Sequence, residues 1–186
     1  MHPKTERIGE AEFRVLHPAP GLPERGKKAY IAENNRSLVV RMETEGKAFL
    51  FAGDIGSGAE ATLVRKYGHD LKCDLLKVPH HGSKSSSTGA FVSMTHPEIA
   101  VVTVGEGNRY RQPSEDVIAR YEKNGAQVYR TDKHGAIIVT MDKGRLIVQP
   151  WTSLTLQRIA LDDRVSSWVG HERENWKRAW ERIWLK

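Results

Sequence analysis

The stretch Asp74-Leu75-Leu76-Lys77-Val78-Pro79-His80-His81-Gly82-Ser83 decides the fold, because a short apolar run passes directly into two imidazoles. A second stretch, Phe51-Ala52-Gly53-Asp54, has the same form and ends in a carboxylate. Short apolar runs bounded by turn residues predict buried strands. We therefore predict two strands of an α/β fold that bring Asp54 and the His80-His81 pair to one edge of a sheet.

These side chains make a candidate metal site. Carboxylates and imidazoles are ligands for zinc and manganese, and a carboxylate can bridge two ions. Gly53 allows the chain to turn at the strand end, and Gly82 allows a close approach beside the metal. The alternative is that Asp54 caps the next helix and the histidines pack in a polar turn. Because both motifs follow apolar strands, we favour a metal site with Asp54, His80 and His81 as candidate ligands.

The histidine pattern limits this interpretation. The eight histidines include no H-x-H-x-D-H cluster, so the sequence predicts only part of a metal centre. The single cysteine excludes an internal disulfide framework and a cysteine-based zinc site. The glycine-rich run after Phe51 lacks the lysine of a nucleotide-binding P-loop, which argues against a triphosphate site.

Composition sets broad bounds. The chain has 186 residues, a formal charge of +6 and a pI near 9.5, which favours an anionic partner or reflects a basic surface. The first residues lack the apolar core of a signal peptide, and the aliphatic runs are too short to cross a bilayer. Neither observation fixes the compartment.

Strands and helices are predicted to alternate through the middle of the chain, which indicates an α/β domain with a partly parallel sheet. Residues 1–12 are polar and predicted to lie outside regular structure, and 19–35 are predicted to form a loop. We divide the chain into an N-terminal strand and loop (1–33), an α/β domain (34–150) and a linker with a terminal helix (151–186). The predicted strands are 13–16, 37–42, 48–51, 75–78, 99–104, 127–129, 136–141 and 145–148, and the predicted helices 59–67, 89–94 and 113–123.

The C-terminal segment carries three tryptophans at helical spacing, Trp176, Trp180 and Trp184. We predict an amphipathic helix over residues 171–185 that packs its tryptophan face on the domain or on a second copy, which gives a possible homodimer. The alternatives are a membrane surface or stacked bases.

Several segments in order resemble the second half of a metallo-β-lactamase-fold domain, and within that superfamily the C-terminal domain of the ComEC family of bacterial DNA-uptake proteins. The resemblance implies an αββα sandwich, of which this chain supplies at least the second half, with a C-terminal helical extension. The matching segments are Asn34 to Val40, Phe49 to Ile55, Leu76 to Ser86, Val104 to Tyr110 and Arg130 to Gly135.

The resemblance also implies roles. Asp54 would bridge two zinc or manganese ions, His81 would complete one coordination sphere, and His80 would contact substrate or a ligand. The implied activity is metal-dependent phosphodiester hydrolysis of DNA during competence-linked uptake, in a membrane-associated, extracytoplasmic domain beside the channel region of a parent protein. Candidate substrate-binding residues are Ser83, Ser85, Asn108, Tyr110, Arg111 and Gln112, although the serines are equally suited to helix capping and the others to a surface loop.

Two departures from the family pattern bear on activity. The first metal motif has no counterpart in residues 1–33, and Gln112 stands where the family usually has a histidine. Asp54 and His81 alone cannot hold a catalytic zinc, which has three protein ligands and a water. We expect the chain alone to be inactive. The alternatives are a non-catalytic module that binds DNA or a protein partner, and a small-molecule metallohydrolase.

Overall fold

The computed structural model describes residues 5–18 and 34–151. The strands are β1 (Thr5–Ile8), β2 (Ala11–His17), β3 (Val39–Thr44), β4 (Lys47–Phe51), β5 (Leu75–Lys77), β6 (Ile99–Val102), β7 (Gln127–Arg130), β8 (Ile137–Asp142) and β9 (Arg145–Pro150). The helices are α1 (Ser57–Tyr67), α2 (Gly89–Thr95), α3 (Glu115–Lys123) and the short α4 (Thr131–His134). Two 3-10 turns, Gly68–Leu71 and Pro79–Gly82, flank β5.

The first seven strands form one sheet in sequential order. Strands β1 to β4 pair antiparallel, and β4 to β7 pair parallel. Parallel neighbours need crossover connections, and α1, α2 and α3 provide them. The prediction of an α/β domain with a partly parallel sheet is confirmed.

Strand residues alternate between two apolar layers, as the two-residue period of a strand requires. Leu50 and Leu76 are fully buried beneath the helices, in a core that includes Phe91 and Tyr121. Their neighbours Phe49, Leu75 and Ile99 face the opposite side, where the β8–β9 hairpin packs against them through Val139, Met141, Leu146 and Val148. The described layers are therefore helices, the seven-stranded sheet and a two-stranded hairpin.

Within the described residues, the predicted elements agree with the structure to within a few residues, but the short helix α4 and the strand β1 were not predicted. Residues 1–12 were expected to lie outside regular structure, which is wrong for β1 and the start of β2. Every residue of Thr5–Ile8 is exposed, so the strand has no buried face and no apolar pattern to predict it. It is held by backbone pairing to β2.

The predicted tryptophan-rich helix over residues 171–185 lies outside the described residues. Among the helices of residues 5–18 and 34–151, none has the length and apolar content needed to cross a bilayer.

Candidate metal centre

A glycine turn places Asp54 at the carboxyl end of β4. Gly53 has φ of +55°, a left-handed conformation that favours glycine. A Cβ atom there would lie 2.9 Å from both the Leu38 carbonyl oxygen and the Ser37 Cβ atom. The strand therefore passes tightly over the start of β3 before the carboxylate is presented. The predicted role of Gly53 as a turn residue is confirmed.

The histidine pair lies in the 3-10 turn Pro79–Gly82 that follows β5. His80, His81 and Gly82 have φ of +49°, +53° and +77°. Left-handed backbone at two non-glycine residues is strained and persists only where surrounding contacts enforce it. One such contact is the hydrogen bond from the His80 N–H to the Gly53 carbonyl oxygen, 3.1 Å, which joins the turn to the Asp54 loop.

Gly82 permits a close approach between this turn and the loop before α3. A Cβ atom at Gly82 would lie 2.5 Å from the Pro113 Cβ atom. The Ser114 N–H donates to the Gly82 carbonyl oxygen at 2.9 Å. The close approach predicted for this glycine is thus made to Pro113.

The ring of His81 is oriented by a hydrogen bond to the backbone. Its Nδ1 atom lies 2.6 Å from the Thr103 carbonyl oxygen. A carbonyl only accepts hydrogen bonds, so Nδ1 carries a proton and donates it to Thr103, and the opposite nitrogen, Nε2, is turned toward Asp54. Nε2 lies 3.7 Å from Oδ1 of Asp54, and both side chains are about two-fifths exposed. Metal-binding histidines characteristically donate their other ring N–H to a carbonyl or carboxylate in this way.

His80 is arranged differently. The Asn34 side-chain amide lies 3.3 Å from its Nε2, and the Ser85 hydroxyl lies 3.4 Å from its Nδ1. Both ring nitrogens therefore face polar side chains of the protein. Asn34 and Ser85 thus hold the His80 ring, and neither of its nitrogens is left without a polar neighbour from the protein.

The serine loop after the histidines (Ser83–Thr88) is fixed from two sides. The Ser83 and Ser85 hydroxyls lie 3.0 Å apart at its exposed end. At its buried end the carboxylate of Glu60, on α1, accepts hydrogen bonds from the N–H groups of Ser87 and Thr88, the latter at 2.8 Å. Burial raises the pKa of Glu60, and the hydrogen bonds from Thr88 and Ser87 oppose this effect.

From α3, two side chains hold the same residue of the loop. The Tyr121 hydroxyl donates to the Ser87 hydroxyl at 3.0 Å, and the Arg120 guanidinium donates to the Ser87 carbonyl oxygen. Ser87 is fully buried and has φ of +57°. Its backbone and side-chain polar groups are all engaged, so the loop has a defined shape.

The predicted substrate residues other than the serines lie on the loop before α3. Ser83, Tyr110, Arg111 and Gln112 line an open groove of about 650 Å³ with Lys84 and the first residues of α3. Asn108 does not line it. Its side chain instead donates to the Gly105 and Gln112 carbonyl oxygens at 3.1 and 2.6 Å. The structure therefore brings most of these residues to one groove and uses Asn108 to hold the loop.

A lysine that the sequence motifs did not indicate lies near the carboxylate. Lys77, the last residue of β5, is half-buried, and burial lowers its pKa while the charge of Asp54 opposes the change. Its side chain is on the sheet face of Leu75, away from the helices. Lys77 is therefore a positive charge that interacts electrostatically with Asp54.

Other residues of the site were also missed. Asn35 accepts hydrogen bonds from the N–H groups of Gly56 and Ala59 and so caps α1, the role considered for Asp54. Thr131 exchanges two hydrogen bonds of 2.7 Å with the backbone of Val104, next to the carbonyl that holds His81. The Asn34-Asn35 pair after a loop was the available signal, since asparagine favours caps.

The described part of the chain contains no group of three or more His, Cys, Asp or Glu side chains placed to hold a metal ion. Asp54 and His81 therefore form a pair of candidate ligands within residues 5–18 and 34–151.

No protein-family model matches the chain. The chain does match several curated proteins. The chain is 35% identical over 138 residues to Competence protein ComA of Neisseria gonorrhoeae, which covers 74% of this chain and 19% of that protein. It is 34% identical over 131 residues to ComE operon protein 3 of Bacillus subtilis, covering 70% of this chain and 16% of that protein. Recombination protein 2 of Haemophilus influenzae is 30% identical over 118 residues.

The chain spans less than one fifth of the length of these relatives. It contains a ComEC-like domain that covers about 70% of its residues. The resemblance to the ComEC family stated from the motifs is confirmed.

Proposed function

We propose that this chain supplies part of a metal-dependent phosphodiesterase site that acts on DNA during competence-linked uptake. The observation that carries the proposal is the geometry of His81. Its Nδ1 is fixed by the Thr103 carbonyl oxygen at 2.6 Å, and its Nε2 lies 3.7 Å from Asp54. The similarity to Competence protein ComA supports the biological setting.

The pair fits one edge of a metal centre. The Nε2 atom of His81 and Oδ1 of Asp54 lie 3.7 Å apart, close enough for both to contact one ion. In a complete site, bound zinc or manganese would activate a water molecule and would stabilise negative charge on the phosphate. A catalytic zinc has at least three protein ligands, so the described residues account for only part of the centre.

The roles of the chain's own residues follow from their contacts. Asp54 would be the bridging carboxylate, and His81 would be a ligand because its Nε2 atom faces that carboxylate. His80 acts beside the centre, held between Asn34 and Ser85. The Ser83 hydroxyl, at the exposed end of the serine loop, donates to a substrate phosphate.

We infer that the fold is the αββα sandwich of the metallo-β-lactamase superfamily. Support comes from the three described layers and from the position of Asp54 and His81 at the carboxyl ends of β4 and β5. The parent protein would then hold this domain beside its membrane channel region, with DNA as the partner.

Calorimetry with zinc and with manganese tests the proposal. We expect weak binding, because two or three ligands do not make the closed shell of a stable centre. Asp54→Ala and His81→Ala should each abolish it, whereas His80→Ala should weaken it only partly. His69→Ala, an exposed histidine away from the site, is the matched control. Binding that survives both Asp54→Ala and His81→Ala contradicts the proposal.

Catalysis needs its own test. The isolated chain should not cleave DNA at a measurable rate with either metal. In a longer protein that carries an H-x-H-x-D-H element, Asp54→Ala and His81→Ala should each remove cleavage, since loss of either ligand displaces the ions. Robust cleavage by the isolated chain would show that the site is complete.

A second candidate is a non-catalytic module of the same fold that binds DNA or a protein partner. The lack of a third metal-binding side chain near Asp54 and His81, within residues 5–18 and 34–151, favours it. The two candidates differ in calorimetry: a binding module shows no metal binding but retains DNA binding in the Asp54→Ala and His81→Ala variants.

A further inference from the structure

The loop between β6 and α3 presents its tip in a fixed shape. The Asn108 side chain donates to the Gly105 and Gln112 carbonyl oxygens, and its own Oδ1 accepts from the Gln112 N–H at 3.0 Å. The Arg111 N–H donates to the Asn108 carbonyl oxygen at 3.1 Å. These bonds close the loop on itself, so residues 109 and 110 project from a rigid base.

An aromatic ring and a cation occupy that tip. Tyr110 is 62% exposed, and the guanidinium carbon of Arg109 lies 4.7 Å from its ring centroid. Arg109 also donates to the Tyr110 hydroxyl. A guanidinium over one face holds the ring, and the 62% exposure of Tyr110 leaves ring surface for a flat partner.

The tip lies at the groove that adjoins the candidate metal centre. Tyr110 lines this groove together with Ser83 and Lys84 of the serine loop. The hydrogen bond between Ser114 and Gly82 joins the groove wall to the histidine turn. A strand whose phosphate lies at Ser83 therefore passes Tyr110.

The charge of the groove argues that attraction to phosphate is not enough for tight binding. Its lining includes two cations, Lys84 and Arg111, and two carboxylates, Glu115 and Asp116. These charges offset one another, so a ligand gains little from electrostatics alone. An exposed aromatic face is a further source of affinity, beside the hydrogen bond proposed for Ser83.

We propose that Tyr110, backed by Arg109, is a stacking platform for an unpaired base, and that it gives this site a preference for single-stranded DNA over duplex. The inference rests on the proposed function, in which the chain acts on DNA. Bases in a duplex have both faces covered by their neighbours, so the ring has no base to stack on. Stacking of one base on an aromatic side chain raises affinity by roughly 5- to 150-fold.

Fluorescence anisotropy with the full chain tests this, at fixed low salt and with chelator present so that no strand is cut. The probes are a thymidine strand of roughly twelve nucleotides, an abasic strand of equal length and charge, and a duplex of equal length. We expect the thymidine strand to bind most tightly. Tyr110→Ala should lower its affinity at least about fivefold, to the level of the abasic strand, and leave the abasic strand unchanged.

Two further variants separate stacking from charge. Tyr110→Phe keeps the ring and should retain the preference, whereas Lys84→Ala should weaken the thymidine and abasic strands equally. The proposal is overturned if Tyr110→Ala binds thymidine as the native chain does, or if it weakens both strands equally. Absence of DNA binding by the native chain overturns the proposed function as well, whereas native binding with no effect at Tyr110 overturns this inference alone.

Discussion

The Nδ1 atom of His81 donates a hydrogen bond to the Thr103 carbonyl oxygen at 2.6 Å, and this contact directs the opposite ring nitrogen at Asp54. The acceptor belongs to the segment that continues β6. The two hydrogen bonds between Thr131 and Val104 hold that segment in place. The orientation of His81, which follows β5, is thus fixed by residues that follow β6 and β7.

Replacing Thr131 by valine tests this chain of contacts. The variant Thr131→Val keeps the shape of the side chain but leaves the half-buried N–H and carbonyl of Val104 without their partner. We expect a loss of about 1–3 kcal/mol in the free energy of unfolding, measured by urea titration, and weaker zinc binding. Thr140→Val, at an exposed position of β8, should change neither quantity. Unchanged zinc binding in a destabilised Thr131→Val protein would contradict the positioning role.

Gly82→Ala is expected to be more damaging than an ordinary glycine substitution. Left-handed backbone costs an alanine about 1–2 kcal/mol, and the added Cβ atom would meet Pro113 at 2.5 Å. Overpacking adds about 1–3 kcal/mol. Gly46→Ala is the matched control, since Gly46 has φ of +73° but no atom within 4 Å of its Cβ position. Equal melting temperatures for the two variants would show that the contact with Pro113 is relaxed easily.

Glu60 predicts a specific dependence of stability on pH. Burial raises its pKa above the ordinary value of 4.5. Between pH 4.5 and this raised pKa, the folded state therefore holds a proton that the unfolded state has released. Stability contributed by this group is therefore lost as pH rises from 4.5 through the raised folded pKa. In Glu60→Gln this part of the slope should disappear, measured as the difference between the two proteins in urea unfolding across that range. Parallel pH profiles would contradict it.

The same substitution should loosen the serine loop. The glutamine side chain would offer one acceptor oxygen where the Glu60 carboxylate now serves the N–H groups of both Ser87 and Thr88. We expect a loss of about 1–3 kcal/mol in the free energy of unfolding and faster amide hydrogen exchange in Ser83–Thr88. Glu122→Gln, an exposed carboxylate on α3, serves as the control for lost charge.

Cys73 is expected to be inert in the folded protein. Its side chain is 4% exposed, and burial raises its pKa to about 12. The thiolate is the reactive form, so little is present near neutral pH. A thiol reagent at about pH 8 should label Cys73 only in denaturant. Rapid labelling under native conditions would indicate that the segment between the first 3-10 turn and β5 opens frequently.

The sequence by itself determined the sheet and the edge where the candidate site lies. Apolar runs such as Leu75-Leu76 and Ile99 to Val102 pack on both faces, so local pattern and burial agree. Asp54 follows β4 and His81 follows β5, and the two residues share an edge because neighbouring parallel strands end on the same side. The strand β1 escaped prediction because it is held by backbone pairing without burial.

Only the tertiary structure decided which residues act together within that edge. His80 and His81 are adjacent in sequence and chemically identical, but the structure surrounds them differently. His80 contacts Asn34 and Ser85, whereas His81 contacts Thr103. Nothing in the local sequence distinguishes Glu60 and Tyr121 from ordinary helix residues. Their hydrogen bonds to Ser87 exist because the fold packs α1 and α3 against the serine loop. Such contacts join distant parts of the chain, and no local pattern encodes a hydrogen bond whose partner is supplied by another element.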